Sequence, residues 1–389
     1  MRLFKLAACA VLGVGLLGLV PYVVCPVYHF AGPRPFRGAR FYNPYAGVGD
    51  VWRTANFHAH GRVWGGVTDG RQSDSAIVAH YRALGYDIAG VSNYQLIDSG
   101  SERDPTAIPA YEHGYNLLKA HFLVLGARRV EWLDFPFLQS LDQKQYVIDR
   151  LKSTGELVVM AHPSLRGAES RNDLHYLTHY DLLEVLNHFT VSDREWDGAL
   201  SSGHAVWALG DDDTHNIEDA GQTGAMWTMV ATHALDRDSV LAALAAGRTI
   251  AVAGRDGKSD VHVRAVTLRG DTLVVHCDAP VKSISFVGQH GRLLARTQGG
   301  TSATYVLQAG DPYVRTVIVT PHTTMFLNPV VRYDGTHLTQ PIAVFDGTAT
   351  WELRIGVLAS CALLVWLIVL ASRLRIILPL PVPVPEGAD

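Results

Sequence analysis

The chain has 389 residues, with 33 basic against 37 acidic side chains, 18 histidines, four cysteines and an apolar share of 48%. The near-neutral balance and scattered basic residues leave no nucleic-acid patch evident, and Cys9, Cys25, Cys277 and Cys361 form neither a disulfide framework nor a Cys-x-x-Cys metal spacing. A chain of this length can bury one large barrel or two ordinary domains, and its apolar excess is concentrated at the two ends.

Residues 6–24 are almost wholly apolar behind a short start carrying Arg2 and Lys5, close to the roughly 20 residues that a membrane-crossing helix needs. No Ala-x-Ala site follows, which favours a retained anchor over a cleaved signal peptide. A Pro- and Gly-containing linker, residues 25–50, leads into the body. There VWRTANF reads as a strand, and SDSAIVAHYRALG as a helix capped by Ser73 or Asp74 and ended by Gly85. YDIAGVS and FLVLGARRV read as strands, LDQKQYVIDRLKSTG as a helix, then LVVMAHP, DLLEVLN, HAVWALG and AMWTMVAT as strands and DRDSVLAALAAG as a capped helix. Such alternation predicts an α/β body over residues 51–254 with a parallel sheet, open or closed into a barrel.

Residues 259–346 change to alternating β-branched runs broken by Gly, Asp and Pro, which predicts a small antiparallel, sandwich-like β domain. A second apolar run, residues 355–371, sits between Arg354 and Arg373 and predicts a C-terminal transmembrane helix before a Pro-rich tail, residues 372–389. Two spans place both tails on one side. The basic residues beside each predict a cytoplasmic location for the tails and an extracytoplasmic body, although Arg34, Arg37 and Arg40 pull the other way.

Several predicted strands are followed by polar residues of metal-binding type: His58-Ala-His60, then His162, Asn187, and Asp211-Asp212-Asp213-Thr-His215. Loops at the C-terminal rim of an α/β barrel converge on one mouth, so these groups are expected to meet. Histidines at i and i+2 on an extended segment face the same side and can share one ion.

Taken in order, His58-Ala-His60, Thr68-Asp69-Gly70, Glu112, His121, Ala161-His162-Pro163 and Asp213-Thr-His215 resemble the motif series of the PHP (polymerase and histidinol phosphatase) superfamily, over residues 54–254. The resemblance implies a distorted (β/α)₇ barrel of TIM-like type that hydrolyses phosphate esters with two or three divalent ions, zinc, manganese or iron. It implies that His58, His60, Glu112 and Asp213 hold one metal, that Glu112 bridges to a second completed by His121 and His162, and that Asp69 and His215 serve a third. No catalytic residue separate from the metal ligands is expected. Ser92-Asn93-Tyr94 stands where the family has Thr-Asp-His, so the third position is altered. Tyr94 is then a phenolate ligand, a substrate contact, or the mark of an absent third ion. Glu131 competes with Glu112 and Asp212 with Asp213, and the motif spacing favours Glu112 and Asp213. Arg128 and Asn187 are candidates for substrate contact. Two other functions fit the same residues: a non-catalytic metal- or ligand-binding membrane module, and a metal hydrolase of non-phosphate bonds.

Overall fold

The computed structural model describes Gly18 and residues 20–49, 51–98 and 104–373. The chain divides into two compact units, Tyr28–Val344 and the pair Met1–Val27 with Phe345–Asp389. The strands in chain order begin with β1 (Val27–Phe30), β2 (Arg40–Tyr42), β3 (Trp52–Asn56), β4 (Ile88–Ala89), β5 (Ala110–His113) and β6 (His121–Leu125). They continue with β7 (Leu157–Ala161), β8 (Leu182–Asn187), β9 (Thr190–Val191), β10 (Trp207–Asp211), β11 (Met226–Ala231) and β12 (Thr249–Ala253). Helices α1 (Asp74–Leu84), α2 (Leu141–Lys152), α3 (Asp193–Ser201) and α4 (Arg237–Ala245) lie among them.

Helix boundaries follow local chemistry. The Ser73 hydroxyl accepts the Ala76 N–H at the start of α1, and Gly85 ends that helix at φ +95°, a conformation glycine adopts without strain. Ser140 and Gln143 form a reciprocal capping box on α2, and Asp236 caps α4. Strand β5 and helix α3 are not foreseen by the sequence pattern. β5 is only four residues long, and α3 contains a glycine and buries Asp197 along with Trp196.

One sheet runs β10–β8–β7–β6–β5, with β9 on the outside of β8. β10, β8 and β7 are mutually parallel neighbours, whereas β6 is antiparallel to both β7 and β5. A second sheet contains β4–β3–β11–β12 in that order, with only the β3/β4 pair parallel. The closed barrel expected from the sequence is not formed. The β5–β6 hairpin and the antiparallel β11/β12 pair, which is joined through α4, interrupt the run of parallel neighbours that a barrel of helical crossovers requires, and the two sheets touch by the isolated bridges Ala59↔Thr214 and Tyr94↔Glu112. Both bridges involve segments that carry the candidate site.

Beyond β12 the chain is antiparallel: β13 (Val263–Arg269), β14 (Thr272–Cys277), β15 (Ser283–Gly288), β16 (Arg292–Gln298), β17 (Ser302–Val306), β18 (Tyr313–Val319) and β19 (Thr324–Tyr333). β19 pairs with β12, so the second sheet continues through β19, β18, β15 and β16. Val275, Phe286, Ile318 and Leu327 share one apolar core with Trp227 and Val252. The same continuous sheet contains β3 and β4, the strands that lead into His58, His60 and Tyr94.

Strand β20 (Ala343–Asp346) precedes α5 (Gly347–Arg373). Within α5 the 24 residues Gly347–Leu370 are long and apolar enough for a membrane span, with an unburied apolar stretch of mean hydropathy 2.4. At 1.5 Å per residue they reach about 36 Å, enough to cross a bilayer core of about 30 Å. In the same unit the Arg354 guanidinium donates to the carbonyls of Val23 and Val24. Among the described residues one helix, and not the expected two, has the length and composition of a span. Most of the other apolar run, residues 6–24, lies outside the described residues.

Glu169, in the loop after β7, is fully buried, and neither carboxyl oxygen has a hydrogen-bond partner. Burial pushes its carboxyl up to about 8, with the Lys144 charge pulling the other way. A raised acid of this kind stabilises the fold fully below the ordinary carboxyl range, and that stability is lost as pH rises through 8. Glu169→Gln is therefore expected to stabilise the protein at pH 8 by roughly 4 kcal/mol and to leave it unchanged near pH 4. Thermal unfolding across that range checks it, and equal shifts at both ends would contradict it.

Candidate metal centre

Beyond Asn56 the chain stays extended through His58 and His60, zipped to the continuation of β10. The His60 N–H donates to the Thr214 carbonyl (2.8 Å), and the Asp213 N–H to the His58 carbonyl (2.9 Å). The imidazoles of His58 and His60 thus project to one side, with their Nε2 atoms 3.0 Å apart. Asp213 Oδ1 lies 3.2 Å from each of those nitrogens.

Glu112, within β5, faces the same point. Its Oε2 is 3.2 Å from His60 Nε2, while Oε1 is 3.4 Å from His58 Nε2, 3.3 Å from His162 Nε2 and 2.7 Å from His121 Nδ1. His121 enters at the first residue of β6, because that strand runs against β7 and delivers its start to the rim where β7 ends. Gly114 permits the approach: it holds φ +134°, and a Cβ there would stand 2.5 Å from the His121 ring. Directly after β7 and near the end of β10, His162 (φ 30°) and Asp213 (φ 52°) adopt left-handed backbone conformations that non-glycine residues rarely hold. Strain of this kind persists where surrounding structure enforces it, commonly at functional sites.

All six residues are buried, with at most 3% of their surface exposed. Burial alone would raise Glu112 and Asp213, but the neighbouring histidines override it: His121 and His58 hold Glu112, and His58 and His60 hold Asp213, well below the carboxylate range. Burial likewise opposes charge on the imidazoles. It prevails at His121, which is lowered, whereas the surrounding carboxylates raise His58, His60 and His162.

The donor set fits a cation better than it fits protons. Two imidazole nitrogens 3.0 Å apart, each facing two carboxylate oxygens, crowd lone pairs together. Glu112 Oε2, Asp213 Oδ1 and His121 Nε2 are buried without hydrogen-bond partners. Ligand atoms around a tetrahedral ion stand roughly 3.3 Å apart, close to the spacings between these donors. Two groups can each hold an ion: His58 with His60 and Asp213, and His58 with Glu112 and His162.

A further layer fixes these ligands. His58 Nδ1 donates to Glu184 Oε1 (2.7 Å), leaving Nε2 free to coordinate. Glu184 Oε2 also accepts the His162 N–H (3.0 Å) and the Asn187 amide (3.0 Å). Asn187 in turn donates to Asp213 Oδ2 (3.3 Å), so this candidate substrate contact is a buried positioning group. Asp211, fully buried, is pushed well up by burial and by the Glu184 charge, and its Oδ1 accepts the Phe57 N–H (2.6 Å). The sequence reading overlooks Glu184, although a lone carboxylate inside the otherwise apolar DLLEVLN strand was a visible signal. Replacing Glu184 with glutamine is expected to weaken metal affinity about 10- to 100-fold, as measured by competition with a chelator. An unchanged affinity would remove Glu184 from this role.

The expected third position lies at the mouth. His215 Nε2 is 3.3 Å from Asp69 Oδ1 and 3.4 Å from the Tyr94 hydroxyl. Asp69 is largely exposed, and its carboxyl is lowered chiefly by the hydrogen bond with His215. The Tyr94 ring stacks on His60 at 4.2 Å between centroids. Burial and then the Glu112 charge hold its phenol far above the ordinary range, so Tyr94 is a neutral phenol in the metal-free protein.

Arg128 is not brought to this site. It follows the far end of β6, where its side chain donates to the Gly155 carbonyl. The inference that whatever follows a strand lines the mouth fails for a strand that runs backwards. Glu131 pairs with Arg150 (2.8 Å). Asp212 accepts the N–H groups of Gly224, Ala225 and Met226 together with the Tyr81 hydroxyl.

The fold and cluster together define an α/β protein with His, Asp and Glu groups able to bind metal. No protein-family model matches the chain, and no curated protein matches it. Among solved structures it is similar to a two-domain protein from Bacteroides vulgatus containing a predicted PHP-like metal-dependent phosphoesterase. That likeness has 12% identity and a TM-score of 0.40, and covers 78% of this chain and 92% of the other.

Proposed function

We propose that this chain is a metal-dependent phosphoesterase of the PHP type, held at a membrane by α5. The observation that carries the proposal is the convergence of His58, His60, Glu112, His121, His162 and Asp213 on one buried point, in the order of that family's motifs. His58, His60 and Asp213 would hold one ion, with Glu112 leading to a second held by His121 and His162. Bound divalent ions of the zinc, manganese or iron kind supply Lewis acidity and a water acidic enough to ionise near neutral pH. The mixed imidazole and carboxylate donors suit all three metals.

The chain's own residues perform the remaining tasks. Glu184 sets the tautomer of His58, and Asn187 holds the carboxylate of Asp213. Burial of the cluster excludes bulk water, which strengthens each electrostatic contact. At the mouth, Asp69, Tyr94 and His215 are placed to meet an incoming ester, and we assign them to a modified third position.

The test is turnover. The full chain, purified in detergent and loaded with manganese or zinc, is expected to hydrolyse a generic phosphoester. Asp213→Ala and His58→Ala are expected to lose both metal and activity. Stoichiometric metal without turnover on phosphomono- or diesters would favour a non-catalytic metal-binding module. Cleavage of amides or other bonds alone would favour a hydrolase of different specificity.

A further inference from the structure

Beside the metal cluster lies a cleft of about 570 Å³ whose walls include Asp69 and Tyr94, a volume suited to a small-molecule ligand. Its other side is aromatic. Trp64 and Trp132 meet edge to face at 6.0 Å, although each exposes about half its surface. The Trp64 ring is oriented by its indole N–H, which donates to the Tyr94 carbonyl (2.7 Å), and the Tyr115 hydroxyl donates to the backbone carbonyl of Trp132 (2.8 Å). With its polar edge turned inward, the Trp64 ring offers its apolar body to the cleft.

Lys119 is the cation in this wall, with Nζ 5.6 Å from the centre of the Tyr94 ring. Its position is built. The Asn116 side chain bonds both the N–H and the carbonyl of Ala120 (2.8 Å each) and is anchored to Asp134 (3.1 Å). The Lys119 N–H donates to the Asn116 carbonyl, and Lys119 itself holds φ +64°, a conformation that needs such support. In the same cleft Gln95 is 7% exposed, and its Oε1 is buried without a partner.

We infer that this cleft is the subsite for the alcohol portion of the substrate, and that the substrate is a phosphate ester of an alcohol bearing a flat ring. Trp64, Trp132 and Tyr115 take the ring, Gln95 accepts a hydrogen bond from it, and Lys119 neutralises a phosphoryl oxygen beside the altered third position. The inference rests on the phosphoesterase reading. It adds a substrate class that the metal ligands do not determine.

Two measurements on the full, metal-loaded chain in detergent separate the two claims. In hydrolysis, kcat/KM for benzyl phosphate is expected to exceed that for ethyl phosphate, whose leaving alcohol is of similar acidity, by about tenfold or more, the scale of a well-formed aromatic contact. In binding without turnover, calorimetry is expected to show phenylphosphonate binding more tightly than methylphosphonate by a similar factor. The Trp64→Ala, Trp132→Ala double variant is expected to remove both preferences with metal content unchanged, and Trp64→Phe with Trp132→Phe to restore them. Lys119→Met is expected to raise KM for both esters. Turnover without ring preference, or preferences untouched in the double alanine variant, overturns the subsite and leaves the phosphoesterase reading standing. Ring-selective phosphonate binding without any turnover supports the subsite while counting against phosphoester hydrolysis.

Discussion

Glu112→Gln is expected to reduce phosphoester turnover by on the order of 10³-fold and to lower bound metal to one ion or fewer. Glu112 stands within 3.4 Å of the ring nitrogens of His58, His60, His121 and His162, and it is the carboxylate that reaches His121. Glutamine keeps the shape but offers one oxygen and no charge. Loss of several kcal/mol of metal-mediated stabilisation corresponds to that factor in rate. The variant should still fold, because the removed charge sat in a cluster of imidazoles whose own charging is opposed by burial. Elemental analysis beside a kinetic assay provides the check. Full activity with two ions retained would exclude Glu112 as a bridging ligand.

The second large effect concerns Asp212, one position away from a candidate ligand and different in role. Its carboxylate accepts three consecutive backbone N–H groups, from Gly224, Ala225 and Met226, at 2.7 to 2.9 Å, and the hydroxyl of the buried Tyr81 at 2.9 Å. Burial raises its carboxyl to about 6 even with those donors present. Asp212→Ala would leave these donors in place without an acceptor. A cost of about 3–5 kcal/mol is expected for breaking such a buried charged network, a large part of the typical 5–15 kcal/mol stability of a domain. Chemical denaturation of the metal-free protein measures it. A loss below about 1 kcal/mol would mean that water replaces the carboxylate.

The three consecutive aspartates illustrate what the sequence reveals and what it conceals. Asp213 could be singled out by its spacing to His215, and the structure brings it to His58 and His60. Nothing in the local sequence distinguishes Asp211, a buried acid beside Glu184, from Asp212, a knot of backbone bonds, because their partners lie 12 or more residues away. Helix caps at Ser73 and Asp236 were legible, since each acts within three residues of itself. The pairing of strands was not. Whether β6 runs with or against β7 depends on a long-range choice that no window of sequence contains. That choice placed His121 at the rim and Arg128 at the opposite edge, and it left the expected barrel unclosed. Lys119 was hidden for a related reason: its place above Tyr94 is set by a turn that Asn116 ties, and the surrounding residues carry no motif.

The reversal of β6 has a consequence for how such a protein diversifies. Because β5 and β6 form a hairpin with Glu112 on one arm and His121 on the other, residues 114–120 are a loop clamped at both ends by metal-type ligands. Its ends are held by the cluster, while its tip carries Tyr115 and Lys119 into the cleft. Exchanging residues 115–119, with Gly114 kept for the close approach of His121, would rewrite what the cleft accepts and leave the ligand geometry in place. On the proposed function, the hairpin would act as an interchangeable cassette, a single short stretch of sequence through which selection could alter substrate preference without rebuilding the centre.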